Sequence, residues 1–549
     1  MPSLNSRAQQ ARSEELQEFP IVGPFAGILS EMSPGRIERY GGFLDLNNIM
    51  LQDGRADVRP GWTALTPMPN PQESIVGVAD FFDNQGSRHQ VIFTPTRLLL
   101  WNGAAATWTV IAGALTGTVD TPIDWAVVNY KLCFSQGVDK VQVWDGLSGN
   151  FAVASANAVA AKYMMELSTY LLVANTVEAG VPFPQRIRYT SPGDTSDWTS
   201  LSAGVAELIN DLGPINHLVK LYQSGYAIHQ LGITQIIPTG NGLNPFNYVP
   251  ISSNNHGTPY PNSVGHQGGE LACFAGPDNV YMFDGTTVTP IGDMKVSGSR
   301  DRLGARDRIL TDLQAVLPGK VYGYISTFVG TSYFNAYWLA IPGVSTWAFN
   351  FDEQNWTRFS YAKQTSVIGR FNKSGVPRII DLSGPILAQN WTPLTLAGSN
   401  PLDGILLGLN DGTPAYVDFT NVSELPWSIT SGQHFFGDLR HQKNVKKFRI
   451  VIFDRGQVQF TLTVTGVIYP VIQPVLDANG NPISTNQTSS SQTKVITMGN
   501  GSGQEISRVV EFAVPGQYIT WKITGDANVP ASFVEITPIF DIGGEQRGG

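Results

Sequence analysis

The feature that most restricts this fold is a short phrase used several times: an aromatic residue ending a strand, then Asn-Gly or Asp-Gly, then another short strand. It stands in RLLLWNGAAATWTVI (97–111), in YKLCFSQGVDKVQVWDGLSGNFAV (130–153) and in NVYMFDGTTVTPI (279–291). In the second, Lys140 to Trp144 alternates apolar and polar residues. Asp145-Gly146 then supplies the positive-φ positions of a tight turn, and Phe151-Ala152-Val153 resumes an apolar run. Each phrase reads as a hairpin. A hairpin that recurs every several tens of residues implies a repeated antiparallel sheet, and units of about four short strands have the content of propeller blades.

The units are unequal. The first runs from Val76 through Gln90–Phe93 and Leu98–Trp101 to Trp108–Ile111, and the second from Trp125 through Leu132–Phe134 and Val141–Trp144 to Phe151–Val153. A third holds Tyr170–Ala174 and Ile187–Tyr189 and closes near Trp198. A fourth holds Leu218–Tyr222, Tyr226–Gln230 and Thr234–Ile237, and a fifth Leu271–Ala275, Val280–Phe283 and Val288–Ile291. A sixth has Tyr333–Ile341, Trp347–Phe351 and Trp356–Tyr361. Ser366–Phe371, Arg378–Leu382, Ile405–Leu409 and Tyr416–Phe419 supply a seventh. The expected fold is all-β: a propeller-like domain of six or seven irregular blades over 76–426, then a β-sandwich over 427–549. A radial array must hide its first and last edges, and the short strand after Trp62 is placed to pair with the last blade.

Composition agrees. In 549 residues the hydrophobic share is 42% and the charged share 14%, with 57 Gly and 35 Pro, a low-charge, turn-rich balance that suits all-β assemblies better than helical enzymes. Two helical stretches are expected: an N-terminal arm over 1–20 (NSRAQQARSEELQE, 5–18), and an insertion near 300–317, where Leu303, Ile309, Leu310, Leu313 and Val316 fall near one face. Residues 21–75 read as extended chain lying over a larger body. Beyond Trp427 long strands alternate strictly, as in a sandwich, and 474–504 reads as a polar Gly/Ser/Thr/Asn-rich loop.

Chemistry is sparse. The net charge of −9 argues against gripping nucleic acid by phosphate neutralisation. Cys133 and Cys273, both in apolar strands, form neither a disulfide framework nor a zinc site. There is no Gly-x-Ser-x-Gly elbow and no nucleotide-binding glycine loop. His256 and His266 share a Gly/Pro-rich loop without a third ligand at metal spacing, and the calcium-like opening DANGN (477–481) reaches Thr488 where a bidentate Glu is needed. SPGDTSDW (191–198) is similar to the Asp-box turn of sialidase propellers but departs from its spacing and occurs once, which favours a turn with Trp198 packed between blades. The expectation is a protein without catalytic, cofactor or metal residues. The partner-contact candidates are basic: Arg440, His441, Lys443, Lys446, Lys447 and Arg449 in one run, and Arg300, Arg302, Arg306 and Arg308 on the inserted helix. The N-terminus has no apolar h-region, and no stretch of eighteen uninterrupted apolar residues occurs, so synthesis as a soluble cytoplasmic chain with no membrane span is expected.

Taken in order, FLDLNNIMLQDGRADVRPGWTAL (43–65), the phrases at 98–111, 131–146 and 188–201, and YWLAIPGVSTWAFNFDEQNWTRF (337–359) resemble tail proteins of tailed bacteriophages, above all the tail hub or nozzle of short-tailed phages. That resemblance implies a structural virion protein, assembled in the host cytoplasm as a ring of commonly six copies. It implies a portal and adaptor above, tail fibres or tailspikes at the side, a needle or plug below, and DNA passing through the lumen without specific binding. A receptor-binding or baseplate-like tail component, or a propeller glycosidase, are the alternatives.

Overall fold

The computed structural model describes residues 16–59, 61–103, 105–252, 255–267, 269–295, 301–329, 332–360, 365–371, 404–409, 411–418, 426–436, 441–468, 488–526 and 531–545. Nearly all of its regular structure is strand. Six blades are four-stranded antiparallel meanders of consecutive strands, beginning at Gly77–Phe82, Asp124–Val128, Ala160–Leu167, Ile215–Leu221, Gly265–Gln267 and Tyr322–Val329. They are numbered blades 1 to 6. A seventh four-stranded sheet, blade 7, is composite: Thr365–Phe371, Gly404–Leu409 and Pro414–Asp418 are completed by Gly61–Ala64 from far upstream.

The first strand of each blade lies nearest the axis, and these inner strands contact one another around the ring, blade 7 meeting both blade 6 and blade 1. Contact is close enough to dictate residue size. A Cβ on Gly369 of blade 7 would stand 2.7 Å from Val78 of blade 1, and one on Gly225 of blade 4 would stand 2.4 Å from Met165 of blade 3. Between blades lie separate apolar clusters. Phe93, Phe134 and Trp144 fill the gap between blades 1 and 2, Val128, Cys133 and Trp198 that between 2 and 3, and Leu99, Trp101 and Phe371 that between 7 and 1.

In blades 1, 2 and 5 the third strand therefore ends in a large aromatic because that side chain plugs the gap to the preceding blade. Asp or Asn follows because its side chain accepts the backbone N–H groups of the turn to the outer strand. Asp145 accepts from Leu147 and Ser148 at 3.0 and 2.7 Å, and Asp284 from Thr286 and Thr287 at 2.8 and 2.7 Å.

The sandwich is not a detached domain. Phe43–Asn47 pairs with Pro426–Ser431 and, through Asn47 and Arg358, with the outer strand of blade 6. One nine-stranded sheet thus runs from blade 6 into the sandwich, ending at Tyr518–Asp526, Val458–Ile468 and Thr488–Met498. The opposing sheet packs Ser532–Glu545 against His441–Phe453, which in turn pairs with Glu505–Gly516. A single apolar core joins Trp356 of blade 6 and Ile309 of the inserted helix to Trp427, Trp521 and Phe533 of the sandwich.

Three expectations change. Gln17–Glu18 and Ile21–Val22 are short strands on Ser532–Glu545 and not part of a helical arm, because Phe19 between them packs against His434 and Phe436; residues 1–15 lie outside the described residues. The polar stretch read as a loop over 474–504 contains the strand Thr488–Met498, in unbroken register with Val458–Ile468; its Ser and Thr side chains hide the strand signal because one face meets solvent. The inserted helix is shorter, Arg306–Gln314, with Leu303 in a preceding two-stranded ribbon. Arg378–Leu382, read as a strand, lies outside the described residues.

Pairing of Gly61–Ala64 closes the ring, so prolines at both Thr63 and Ala64, which between them must remove a ladder N–H, are expected to destabilise the chain by about 3 kcal/mol or more. The denaturation midpoint should fall accordingly, and an unchanged midpoint would show that the closure contributes nothing.

Candidate functional site

Four contacts place the turns of blades 1 to 5 on one face of the ring. Gly146, in the turn between third and fourth strands of blade 2, lies so close to blade 1 that a Cβ would stand 2.9 Å from Asp83 and His89. Asn129 Nδ2 donates to Gly193 O at 3.2 Å, tying blade 2 to blade 3. Tyr222 N donates to Gly269 O at 2.5 Å, and Tyr226 Oη donates to Gly285 O at 3.0 Å, both tying blade 4 to blade 5. Every one of these residues sits in or beside a turn joining strands one and two or strands three and four.

This turn face carries exposed apolar and aromatic side chains. Leu201 is 85% exposed, Leu243 73%, Tyr222 59% and Tyr130 57%, all in blades 2 to 4. Tyr130 and Tyr222 also have φ of 62° and 54°. A bulky residue in the left-handed region is disfavoured by contact between its Cβ and the following carbonyl, and glycine or asparagine normally takes such a place. Around them stand carboxylates held ionised. Hydrogen bonds from Ser196 pull Asp194 below the usual range, as that from the Ser191 hydroxyl does for Asp197 and that from Thr287 does for Asp284; for Asp145 burial pushes upward, but the bonds from Ser148 outweigh it. Trp198 below is 2% exposed, so SPGDTSDW is a capped turn anchored between blades.

Inside the ring are groups that sequence reading passed over. The Asp124 carboxylate accepts from Met164 N at 2.8 Å and from Trp125 N at 2.9 Å, linking the inner strands of blades 2 and 3. Burial pushes it from 3.8 up to about 7. His217 of blade 4, its ring 5.7 Å from that of Tyr163, is pushed by burial from 6.5 down to about 3, and neighbouring His266 adds to the effect. No local pattern marks Asp124; only ring closure makes its strand an interior one.

Of the basic candidates, Arg302, Arg306, Arg308, Lys443, Lys446 and Arg449 are engaged within the chain. Arg306 contacts Asp293 at 3.0 Å, Glu31 at 3.0 Å and Asp307 at 3.0 Å, and Arg302 also reaches Asp293. Arg308 contacts Asp45 at 3.0 Å. Lys443 is fully buried with Nζ donating to Gln517 O at 3.3 Å, Lys446 contacts Asp541 at 3.2 Å, and Arg449 contacts Glu18 and Glu535. His441 opens the same strand and Lys447 is half-buried in it; Arg300 and Arg440 lie outside the described residues.

Nucleophiles are equally confined. Cys133 and Cys273 are fully buried, and burial pushes the Cys133 thiol up to about 12. Ser252 Oγ lies 2.9 Å from His256 Nδ1, but among the described residues no hydrogen bond orients the other ring nitrogen. No group of three His, Cys, Asp or Glu able to hold a metal occurs among the described residues, and the DANGN turn lies outside them. No helix among them is long and apolar enough to cross a membrane.

No family model matches the chain, and no curated protein does. Among solved structures it is similar to BBS1N in complex with ARL6DN, in crystals soaked with mercury and with lead. Identity is 10% in both, the alignments cover 66% of this chain and 98% and 99% of the other, and the TM-scores are 0.37 and 0.38. Neither is a tail protein. The reading as a phage tail hub or nozzle, with its genome-conduit function and its tail-component and glycosidase alternatives, is therefore corrected. The physical reason lies in the phrases that carried it. Trp144-Asp145-Gly146 and its counterparts record how an antiparallel blade ends its third strand, and Tyr337–Phe359 is two consecutive hairpins of blade 6, so both are marks of architecture. The ring of copies, the portal, adaptor, fibre and plug partners and the virion location were implications of that resemblance alone.

Two predictions follow from these internal groups. Asp124 has a folded value above its unfolded one, so its contribution is complete below about 4 and is lost as pH rises towards 7, whereas His217 contributes fully above 6.5 and is lost as pH falls. Asp124→Asn should thus remove a fall in unfolding free energy between about pH 4 and 7 on the order of a few kcal/mol. Secondly, Arg306→Ala strips a partner from Asp293, 1% exposed, and should cost about 2–4 kcal/mol. Lys446→Ala, at a surface pair, should cost under about 1 kcal/mol; equal losses in denaturant titrations would remove the distinction.

Proposed function

We propose that this chain is a non-catalytic binding scaffold whose propeller receives a protein partner on the turn face of blades 2 to 4. The observation that carries the reading is the pair Tyr130 and Tyr222, large side chains held exposed at left-handed backbone positions that glycine would occupy at lower free energy. Aromatic anchors with few rotatable bonds are the residues that interface energetics favour. Leu201 and Leu243 extend the apolar centre, and the ionised Asp145, Asp194, Asp197 and Asp284 surround it. An apolar centre with a charged rim is the anatomy of a protein interface. The rim is mainly acidic, with Lys131 beside Asp194 and Lys220 paired with Glu166 among its carboxylates, and a partner of complementary charge pattern fits it. The full burial of both thiols supports the absence of catalysis.

The test separates binding from stability. Tyr130→Gly and Tyr222→Gly relieve a backbone penalty of about 1 kcal/mol each, so thermal unfolding should stay level or rise. Both should nonetheless abolish retention of any partner held by the wild-type chain in a salt-sensitive manner, while Val509→Asp on the exposed sandwich edge leaves it intact. Partners retained equally by the glycine variants would sink the proposal.

A further inference from the structure

Four Asn-Gly pairs occur in the chain: Asn102-Gly103, Asn241-Gly242, Asn479-Gly480 and Asn500-Gly501. Such a pair can react with itself. The backbone nitrogen of the glycine, uncrowded by any Cβ, attacks the carboxamide carbon of the asparagine when that nitrogen is free and the side chain is folded back over it. Asn479-Gly480 lies outside the described residues, and the structure separates the other three.

At Asn500 the nucleophile is occupied. Gly501 N donates to Asp454 Oδ1 at 2.9 Å, and Asn500 N donates to the two oxygens of the same carboxylate at 3.0 and 3.1 Å, so the backbone is clamped on both sides of Asn500. At Asn102 the backbone is held in a strand, paired with Thr107, and the carboxamide oxygen is drawn to Ala105 N at 3.1 Å, beyond the glycine.

Asn241 differs on each point. It stands in the turn that joins Ile233–Pro238 to Phe246–Ser252, the third and fourth strands of blade 4, and both Asn241 and Gly242 are exposed. Among the described residues Gly242 N donates no hydrogen bond, and a Cβ on Gly242 would meet nothing within 4 Å. Leu243 N donates to Asn241 Oδ1 at 3.0 Å. This Asx turn folds the carboxamide over the Gly242 peptide, and its N–H is aimed at the oxygen on which negative charge grows when the carbon is attacked.

We infer that Asn241 is a self-modification site, converted in the folded protein to aspartate and its β-linked isomer. The Gly242 nitrogen gives its proton to solvent base and bonds to Asn241 Cγ. The Cγ–Nδ2 bond then breaks, and Nδ2 takes up a proton and leaves as ammonia. One water opens the resulting cyclic imide at either carbonyl, and no oxidant or reductant takes part. The product sets a carboxylate, or a main chain longer by one carbon, beside Leu243 on the turn face. That change of surface matters through the binding role proposed for this face, whereas the chemistry does not rest on it.

The experiment incubates the full chain at mildly alkaline pH in heavy-oxygen water, folded and in urea, and maps peptides for heavy oxygen and β-linked aspartate. In urea Asn102, Asn241 and Asn500 should convert at comparable rates, because only local sequence acts there. In the folded chain Asn241 should convert at least tenfold faster than Asn500, and ahead of Asn102. Gly242→Ala, free of clashes in the open turn, should slow Asn241 at least tenfold without moving the melting temperature and leave Asn102 unchanged. Folded-state conversion of Asn102 or Asn500 ahead of Asn241, an Asn241 that survives while the unfolded chain is converted, or an unchanged rate in Gly242→Ala would each overturn the inference. No partner enters the measurement, so its failure is distinct from failure of the binding role.

Discussion

Everything in this molecule depends on a pairing between distant parts of the chain, that of Gly61–Ala64 with Pro414–Asp418. Without it blade 7 has three strands and an open edge. With it, the upstream chain is fixed at one point of the ring, and the strands before it are obliged to cross from the sandwich to the propeller. Arg55–Val58 consequently reaches Ser532–Glu545, and Phe43–Asn47 fills the gap between blade 6 and Pro426–Ser431. The polar interior follows the same route: Asp57 accepts from Ser532 and Arg455, and Arg59 donates to Asn48 and to Ser360 O. Propeller and sandwich are one body because Phe43–Asn47 pairs with a strand of each.

That rigidity divides the polar residues into two populations. Under the helix they are tightly engaged, as with Asp293 between Asn279, Arg302 and Arg306. On the turn face the carboxylates Asp145, Asp194, Asp197 and Asp284 instead bond within their own turns. The proposed binding role accordingly rests on surface shape and backbone conformation.

The sequence showed a good part of the fold. Trp144-Asp145-Gly146 and Phe283-Asp284-Gly285 announce the hairpins because both the plug and the turn cap are local needs. The inner strands were harder. Ala160–Leu167 and Gly265–Gln267 carry little periodic signal because an inner strand meets neighbours on both faces, and their side chains are chosen for narrow space. Thr488–Met498 reads as polar loop for the opposite reason, a face in solvent. The site was less legible still. Nothing in the identity of Tyr130 or Tyr222 reveals a left-handed backbone. The family resemblance failed for a related reason, since it weighed phrases that any blade of this kind needs.

The threaded upstream segment also dictates an order of events during folding. Asp57 and Ser532 are separated by 475 residues, and such contacts impose a large loop-closure entropy before they return any stabilisation. The blades of consecutive strands need no such wait and can form as local meanders. Gly61–Ala64, by contrast, remains a bare strand edge until Pro414–Asp418 arrives, and Gln17–Glu18 and Ile21–Val22 remain so until Ser532–Glu545 does. The vulnerable species is thus a chain whose blades have formed while its seams stand open, able to pair in trans with the same seam of another copy.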